Sequence, residues 1–279
     1  MPETAVTVAA VQMVSEKSLA NNLNKAAELL TEARLRGAQC AVLPENFALF
    51  GQAGSAVQGL RESRGEGEIL SFLAEQARAN GLWVVGGTIP LGCNQQGKWA
   101  QEHKSFASCC VFAPTGDMVS RYDKIHLFDA GVQDAVGSYR ESAQFDPGSE
   151  PGVFDGPGGK WGLAVCYDLR FPEYFRLLSR ADCHLLAVPS AFVYATGQVH
   201  WEVLLRARAI ENQSFVVAAN QGGHHGCNRR TWGHSMIINP WGDVLAVLPE
   251  GEGVVTARLD LSELTALRSR MPVLSHRKF

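Results

Sequence analysis

Three polar residues stand at the ends of predicted strands, where the side chains of an active site can meet. Glu45 ends the apolar run "AVLPE", Lys124 ends "MVSRYDK", and Cys166 ends "GLAVC". In open α/β sheets, sites form beyond the carboxyl ends of the parallel strands. We therefore expect Glu45, Lys124 and Cys166 to converge on one rim of the structure.

A cysteine, a carboxylate and an ammonium group can together carry out acyl transfer. A thiol needs a neighbouring base or positive charge to react as a thiolate near neutral pH. Glu45, in a partly dry pocket, can accept the thiol proton and later return a proton to a leaving amine. Lys124 can stabilise the thiolate and the oxyanion that forms when sulfur attacks a carbonyl carbon.

Other interpretations of these residues stay open at this point. Free cysteine is among the most buried residue types, so that Cys166 is also compatible with a core position. Glu45 and Lys124 are compatible with a structural ion pair. From composition alone, Glu141 in "YRESAQFDPG" is a solvated loop carboxylate. A cysteine–histidine pair with Cys166 has three candidate partners: His126, His200 and His234.

The run "GGHHGC" is the candidate for metal ligation, with His224, His225 and Cys227. Adjacent histidines point in different directions, and no second ligand pair at a zinc-like spacing accompanies them. We therefore expect no metal site. The glycine runs "VVGGT" and "NQGGHHG" lack the spacing of a phosphate-binding loop, so that no nucleotide is expected.

The elements that must position these residues occur in two similar series. In the first, predicted strands and helices alternate over 7–13, 21–39, 40–45, 67–81 and 82–90, followed by strands on both sides of the turn "TGD". In the second, they alternate over 161–166, 172–181, 183–190, 200–213 and 214–221, followed by a hairpin over 234–248.

The two hairpin turns, "APTGDMV" and "NPWGDVL", share a proline, a glycine and an aspartate at matching places. The order predicts two pseudo-repeated halves in a single domain over residues 1–279. It also predicts an α/β fold in which two parallel-rich sheets pack face to face, with helices outside. In the helix over 200–213, the pattern predicts an inward face formed by Trp201, Leu204, Leu205 and Ile210.

Composition is typical of a soluble globular protein. The chain has 279 residues, 46% of them hydrophobic and 19% charged, and a net charge of −3, which argues against a nucleic-acid-binding surface. No apolar run approaches the length of a membrane span, and the N-terminus lacks the basic region of a signal peptide. Seven scattered cysteines are typical of reduced thiols. We expect a cytoplasmic protein without a nucleic-acid or membrane partner.

The segments "LPENF", "RYDKIHLFD" and "CYDLRFPE" resemble motifs of the nitrilase superfamily, the carbon–nitrogen hydrolases. The resemblance extends in order along nearly the whole chain, from "VAAVQM" to "PWGDVLA". It implies an α-β-β-α sandwich that forms a homodimer or larger homo-oligomer. It also implies a catalytic triad of Glu45, Lys124 and Cys166, a second glutamate at Glu141, and no metal or organic cofactor.

The resemblance implies the reaction as well. Glu45 deprotonates Cys166, which attacks an amide carbon while Lys124 and the backbone N–H after the cysteine hold the oxyanion. Ammonia leaves, and a water activated by Glu45 hydrolyses the thioester. Glu141 helps to position the groups.

Longer segments are most similar to the branch that hydrolyses deaminated glutathione, whose near relative is the ω-amidase branch acting on α-ketoglutaramate. Both imply a small-molecule substrate, an α-keto acid amide with a terminal amide, and an arginine as partner of its carboxylate. We assign this role to Arg170, with Thr196 and Tyr167 as further binding residues. The structural alternative is a salt bridge from Arg170 to Asp168 or Glu173. The functional alternative is a nitrilase-fold binding protein with little turnover. The loop "AANQGGHHGCNRR" is expected to shape the end of the pocket that takes the peptide part of the substrate.

Overall fold

The computed structural model describes residues 5–51, 55–226 and 228–278. Strands and helices alternate along these residues in two series, as the sequence pattern predicts. The first series comprises β1 (Ala5–Gln12), α1 (Leu19–Leu35), β2 (Cys40–Val42), α2 (Ser55–Ser63), α3 (Ile69–Asn80), β3 (Trp83–Val85), β4 (Ile89–Leu91), β5 (Phe106–Phe112) and β6 (Met118–Asp123).

A small hairpin and a short 3₁₀ turn connect the two series: β7 (Asp129–Gly131), β8 (Ser138–Arg140) and the turn Glu141–Ala143. The second series opens with β9 (Gly152–Gly156), β10 (Gly159–Leu163) and the 3₁₀ turn Cys166–Arg170. It continues with α4 (Pro172–Arg180), β11 (Leu185–Ser190), α5 (Tyr194–Asn212), β12 (Phe215–Asn220), β13 (Ser235–Ile238), β14 (Val244–Leu248), β15 (Gly253–Asp260) and α6 (Leu261–Arg270).

The strands form two large sheets. The first has the order β15-β1-β2-β3-β5-β4, with β6 also paired to β5, and the second has the order β14-β13-β12-β11-β10-β9. In the first sheet β1, β2 and β3 are parallel, and in the second β10, β11 and β12 are parallel. In each half, antiparallel strands follow this parallel trio. The prediction of two pseudo-repeated halves is therefore confirmed.

The two sheets pack face to face between outer helices. Along β1, Val6, Val8 and Ala10 belong to the core cluster shared with the second sheet, whereas Ala9 and Val11 pack with α1 and α3. This alternation follows from the pleat, which turns successive side chains to opposite faces of the sheet. Helices α4 and α5 cover the other face of the second sheet. The layers are thus α-β-β-α, as predicted.

The hairpin turns of the two halves adopt the same backbone conformation. Ala113 N–H donates to the Asp117 carbonyl over 2.9 Å, and Asn239 N–H donates to the Asp243 carbonyl over 3.0 Å. The residue before the aspartate in each turn is a glycine with positive φ, +82° at Gly116 and +97° at Gly242. Because this conformation favours glycine, the shared "G-D" signal has a physical basis.

Some elements depart from the prediction. Strand β15, which completes the first sheet by pairing with β1, and helices α2 and α6 were not expected. The prediction that Ile210 packs inward is wrong, since its side chain is 45% exposed. The inward face of α5 includes Trp201, Leu205 and Ala209, which repeat at helical spacing, and the next residue is turned away by about 100°.

Candidate active site

Glu45, Lys124 and Cys166 meet at the carboxyl ends of three strands. Glu45 follows β2, Lys124 follows β6 directly, and Cys166 follows β10 and opens a 3₁₀ turn. Lys124 Nζ lies 2.7 Å from Glu45 Oε1, and Cys166 lines the same pocket as both residues. The predicted convergence of these side chains on one rim therefore occurs.

Glu45 is held by contacts from both halves of the fold. Its Oε2 accepts a hydrogen bond from Ala191 N–H over 2.8 Å, just beyond β11, and its carbonyl accepts one from Gln221 Nε2 over 3.1 Å. The carboxylate is almost fully buried. Next to it, Gly87 has φ +58° and packs so closely against the Pro44 carbonyl that a Cβ would collide with it. These contacts fix the carboxylate between the two sheets.

Lys124 is buried between two glutamates. Besides Glu45, Lys124 Nζ contacts both carboxylate oxygens of Glu141, over 2.9 and 2.8 Å. Burial lowers the pKa of Lys124, but the charges of Glu141 and Glu45 outweigh it, so that the pKa is raised. All three N–H groups of the ammonium thus have carboxylate acceptors. The view of Glu141 as an ordinary solvated loop charge is wrong.

Glu141 lies at the start of the 3₁₀ turn that follows β8. Its Oε2 also accepts a hydrogen bond from Phe128 N–H over 2.6 Å. Burial raises the pKa of the Glu141 carboxyl, with Lys124 opposing and Glu45 adding to the rise, and the net pKa is raised. Two carboxylates therefore share one ammonium group beside the thiol.

Cys166 has an unusual backbone conformation for a residue with a side chain. Its φ is +46°, in the left-handed region, which costs on the order of 1–3 kcal/mol in a residue other than glycine. Burial raises the pKa of the thiol well above its ordinary value; the Glu45 charge adds to this and the Lys124 charge opposes it. The resting thiol is therefore protonated, and its reaction as a nucleophile requires a base.

Asp168 holds the nucleophile turn in place, a role that sequence analysis missed. Its carboxylate is fully buried and accepts hydrogen bonds from Val165 N–H over 2.7 Å and from the Tyr122 hydroxyl over 2.8 Å. It also accepts one from His126 N–H over 3.2 Å and contacts His126 Nδ1 over 2.7 Å. Asp168 thereby joins the turn at Cys166 to the segment on either side of Lys124.

A pocket of about 640 Å³ opens over these groups. All seven predicted site residues line it: Glu45, Lys124, Glu141, Cys166, Tyr167, Arg170 and Thr196. Tyr167 packs edge-on against Phe128, and Thr196 Oγ1 donates to the Val193 carbonyl over 3.3 Å. Sequence analysis missed other lining residues, among them Arg61, Arg140 and Arg229.

The alternative structural role of Arg170 is wrong. Its Nη1 lies 3.2 Å from His200 Nδ1, and its Cζ lies 5.1 Å from the centre of the Phe192 ring. In the described part of the chain it forms no ion pair with Asp168 or Glu173, because Asp168 is occupied by the contacts given above. The Arg170 side chain is thus available at the wall of the pocket.

The three candidate histidine partners of Cys166 have other contacts. His126 is bonded to Asp168 and stacks on Phe171, with ring centres 3.7 Å apart. His200 contacts Arg170, and His234 stacks on Trp232 at 4.1 Å. No described histidine among these lines the pocket.

The histidine run does not form a metal site in the described residues. His225 Nδ1 lies 2.7 Å from the Ser15 carbonyl and its Nε2 lies 2.8 Å from Thr231 Oγ1. Cys227 lies outside the described residues. Across 5–51, 55–226 and 228–278, no group of three or more histidine, cysteine, aspartate or glutamate side chains could hold a metal ion. Within the same ranges, no helix has the length and apolar character needed to cross a bilayer.

Comparison with known proteins identifies the family. Residues 7–269 match the carbon–nitrogen hydrolase family. The chain belongs to this family. The carbon–nitrogen hydrolase described here is 37% identical to the deaminated glutathione amidase of Yersinia enterocolitica, over 98% of this chain and 93% of the relative.

Solved structures of carbon–nitrogen hydrolases share its fold. Nit3 of Saccharomyces cerevisiae, a member of branch 10 of the nitrilase superfamily, is 28% identical with a TM-score of 0.84, over 99% of this chain and 97% of that one. An amidase variant from Nesterenkonia sp. AN1, in which acrylamide has added to the active-site cysteine, is 25% identical with a TM-score of 0.77, over 96% and 98%. The resemblance stated from the sequence and the nitrilase fold are both confirmed.

Proposed function

We propose that this carbon–nitrogen hydrolase, an amidase, cleaves the amide bond of an α-keto acid amide through a thioester on Cys166, with deaminated glutathione as substrate. The observation that carries the proposal is a buried, protonated thiol in the same pocket as Glu45, whose carboxylate lies 2.7 Å from the Lys124 ammonium. The name of the Yersinia relative supports the substrate, and the active-site cysteine of the Nesterenkonia amidase supports the nucleophile.

The first half-reaction forms the thioester. Glu45 accepts the thiol proton as Cys166 Sγ bonds to the amide carbon, which becomes tetrahedral and carries an oxyanion. The Lys124 charge and the Tyr167 N–H stabilise this oxyanion. The C–N bond then breaks, and the amine leaves with the proton that Glu45 returns.

The second half-reaction releases the acid. A water molecule gives a proton to Glu45 as its oxygen bonds to the thioester carbon, and the collapse of the tetrahedral intermediate breaks the C–S bond. The thiolate of Cys166 recovers its proton from Glu45. Glu141 acts as a positioning residue, because it holds two of the three N–H groups of Lys124.

The leaving group depends on the substrate, and this corrects the expectation that ammonia is always released. α-Ketoglutaramate is a primary amide and releases ammonia. Deaminated glutathione has its γ-carbonyl joined to the nitrogen of cysteine, so that it releases cysteinylglycine. Both substrates give 2-oxoglutarate as the acid, and the same α-keto acid group can bind Arg170 and Thr196 in either case.

The first experiment measures 2-oxoglutarate released from deaminated glutathione and from α-ketoglutaramate. We expect the larger kcat/KM for deaminated glutathione, and a loss of roughly 10⁴-fold or more in Cys166→Ala, as for removal of other catalytic nucleophiles. A preference for α-ketoglutaramate would assign the protein to the ω-amidase type. Folded wild-type protein that hydrolyses neither substrate would support the binding-protein alternative instead.

We also propose that the protein is a cytoplasmic homodimer and that residues 1–279 are one domain. Helices α4 and α5 have exposed apolar side chains suited to a dimer contact, among them Leu177, Val199, Val203 and Ile210. The six described cysteines are free, which fits a reducing compartment. A solution mass equal to that of one chain at micromolar concentration would contradict the dimer.

A further inference from the structure

Arg229 forms part of a side-chain stack at the wall of the pocket. It comes from the loop between β12 and β13 and lines the 640 Å³ pocket. Its Cζ lies 4.8 Å from the centre of the Phe50 ring and 5.2 Å from that of Tyr139. Phe50 in turn stacks on the buried His225 ring at 3.8 Å. Contacts with two aromatic rings restrict the guanidinium group to a defined orientation.

Among the residues that the structure describes, this guanidinium has few hydrogen-bond partners. Nη2 donates to the Ala191 carbonyl over 3.3 Å, and Nε is buried without a partner among the described residues. The nearby carboxylate of Asp134 already accepts hydrogen bonds from the Tyr139 hydroxyl and from two backbone N–H groups. Nε is buried out of reach of a ligand, so a ligand carboxylate in the pocket would accept hydrogen bonds from the Nη groups, whose bond to the Ala191 carbonyl is long.

Arg229 and Arg170 contact consecutive residues of one segment. Arg229 bonds to the Ala191 carbonyl, whereas Arg170 lies over the ring of Phe192. The N–H of Ala191 is the group that holds Glu45. Of the five cationic side chains that line the pocket, Arg170 and Arg229 are therefore the two that contact this segment, while a simple α-keto acid amide has only one carboxylate.

We propose that Arg229 binds a carboxylate on the leaving-group side of the scissile amide. Arg229 then selects amides whose amine product is itself an acid, such as a dipeptide with a free C-terminus. This inference rests on the proposed function and deepens it, because deaminated glutathione has a second carboxylate at its glycine, whereas α-ketoglutaramate has only the carboxylate of its α-keto acid group. The pocket volume is within the range of roughly 300–1,000 Å³ that accommodates ligands larger than a simple primary amide.

The test compares three substrates that share the acyl group: deaminated glutathione, its C-terminal carboxamide, and α-ketoglutaramate. For Arg229→Gln we expect kcat/KM on deaminated glutathione to fall about 10- to 100-fold, mainly through KM, the size expected for a hydrogen-bonded charge. On the two substrates without the second carboxylate, we expect changes below about fivefold, as for screened charge interactions. Arg229→Lys keeps the charge and should retain part of the preference.

Arg230→Gln is the matched control. Arg230 is the adjacent arginine, it lies over the Tyr194 ring at 3.6 Å and pairs with Glu250 at 3.0 Å, and it does not line the pocket. Its substitution should leave all three rates within about twofold, the effect expected of a surface ion pair.

Two results would overturn the inference while the proposed function stands. An equal fall on all three substrates would assign Arg229 to the acyl side or to support of the pocket. Unchanged rates in Arg229→Gln would exclude a contact with substrate. If the wild-type protein hydrolyses none of the three, the proposed function fails, and this inference fails with it.

Discussion

Replacement of Asp168 by asparagine tests whether the buried carboxylate positions the nucleophile. Oδ1 accepts from two groups of His126, and Oδ2 accepts from Val165 N–H and the Tyr122 hydroxyl. In Asp168→Asn, an NH₂ group must replace one of these oxygens and face two donors. The imidazole or the hydroxyl can become an acceptor, but the backbone N–H on that side cannot.

The cost of the Asp168→Asn substitution follows from this count. One buried N–H without an acceptor costs about 1–3 kcal/mol, and the remaining bonds lose the strength that a charge gives them. We expect a loss of about 2–4 kcal/mol in the free energy of unfolding, or roughly 4–15 °C in Tm for a chain of this size. Because Val165 precedes the strained Cys166, kcat/KM should also fall, by on the order of 10²-fold, as for a small misplacement of reacting groups.

Urea unfolding and 2-oxoglutarate release measure the two effects separately. Asp155→Asn is the control, since Asp155 lies on β9, next to the strand that leads into the Cys166 turn, but is exposed. Its substitution should change the free energy of unfolding by less than about 0.5 kcal/mol. A variant at Asp168 that unfolds at the wild-type urea concentration would refute the hydrogen-bond argument. A destabilised variant with unchanged kcat/KM would refute the positioning role alone.

Two further predictions concern stability around the site. Burial lowers the pKa of His225 from 6.5 to about 4, so that the folded state favours the neutral imidazole. The contribution of this imidazole to the free energy of unfolding is therefore complete above pH 6.5 and is lost as pH falls toward 4. Urea unfolding should show a smaller decrease in the free energy of unfolding from pH 7 to pH 5 in His225→Asn than in wild type or in the exposed control His103→Asn. An equal decrease in all three proteins would contradict this prediction. Gly87→Ala should cost more than about 3 kcal/mol, because the added Cβ meets the Pro44 carbonyl, whereas Gly37→Ala, with open space around it, should cost about 1–2 kcal/mol; equal Tm values for the two variants would refute the steric argument.

The convergence of the site could be predicted because it depends on strand ends. Glu45 follows β2, the middle strand of the first parallel trio, and Cys166 follows β10, an outer strand of the second. The carboxyl ends of such strands lie at the same edge of their sheet, and packing the sheets face to face brings the edges together. Apolar periodicity and turn residues are local signals, so that the ends of these strands can be predicted from one sequence.

The role of Asp168 could not be predicted, because its side-chain partners Tyr122 and His126 lie far away along the chain. The hydroxyl of Tyr122 is 46 residues distant, and the backbone N–H of Ala191 that holds Glu45 is 146 residues distant from it. Neither contact leaves a local pattern. Arg170 shows the converse: Asp168, its partner in the structural alternative, is close in sequence but turns toward the protein interior.

The charges of the site explain why a carboxylate can serve as the base here. A buried ion far from any partner is strongly disfavoured, so the proton transfer from Cys166 to Glu45 must not create one. In the proposed step the negative charge moves from Glu45 to sulfur and then to the oxyanion, while the net charge of the site stays constant. Lys124 remains charged throughout, because its pKa is raised and Glu141 keeps contact with it. The second glutamate thus allows the lysine to stabilise the thiolate after Glu45 has been neutralised.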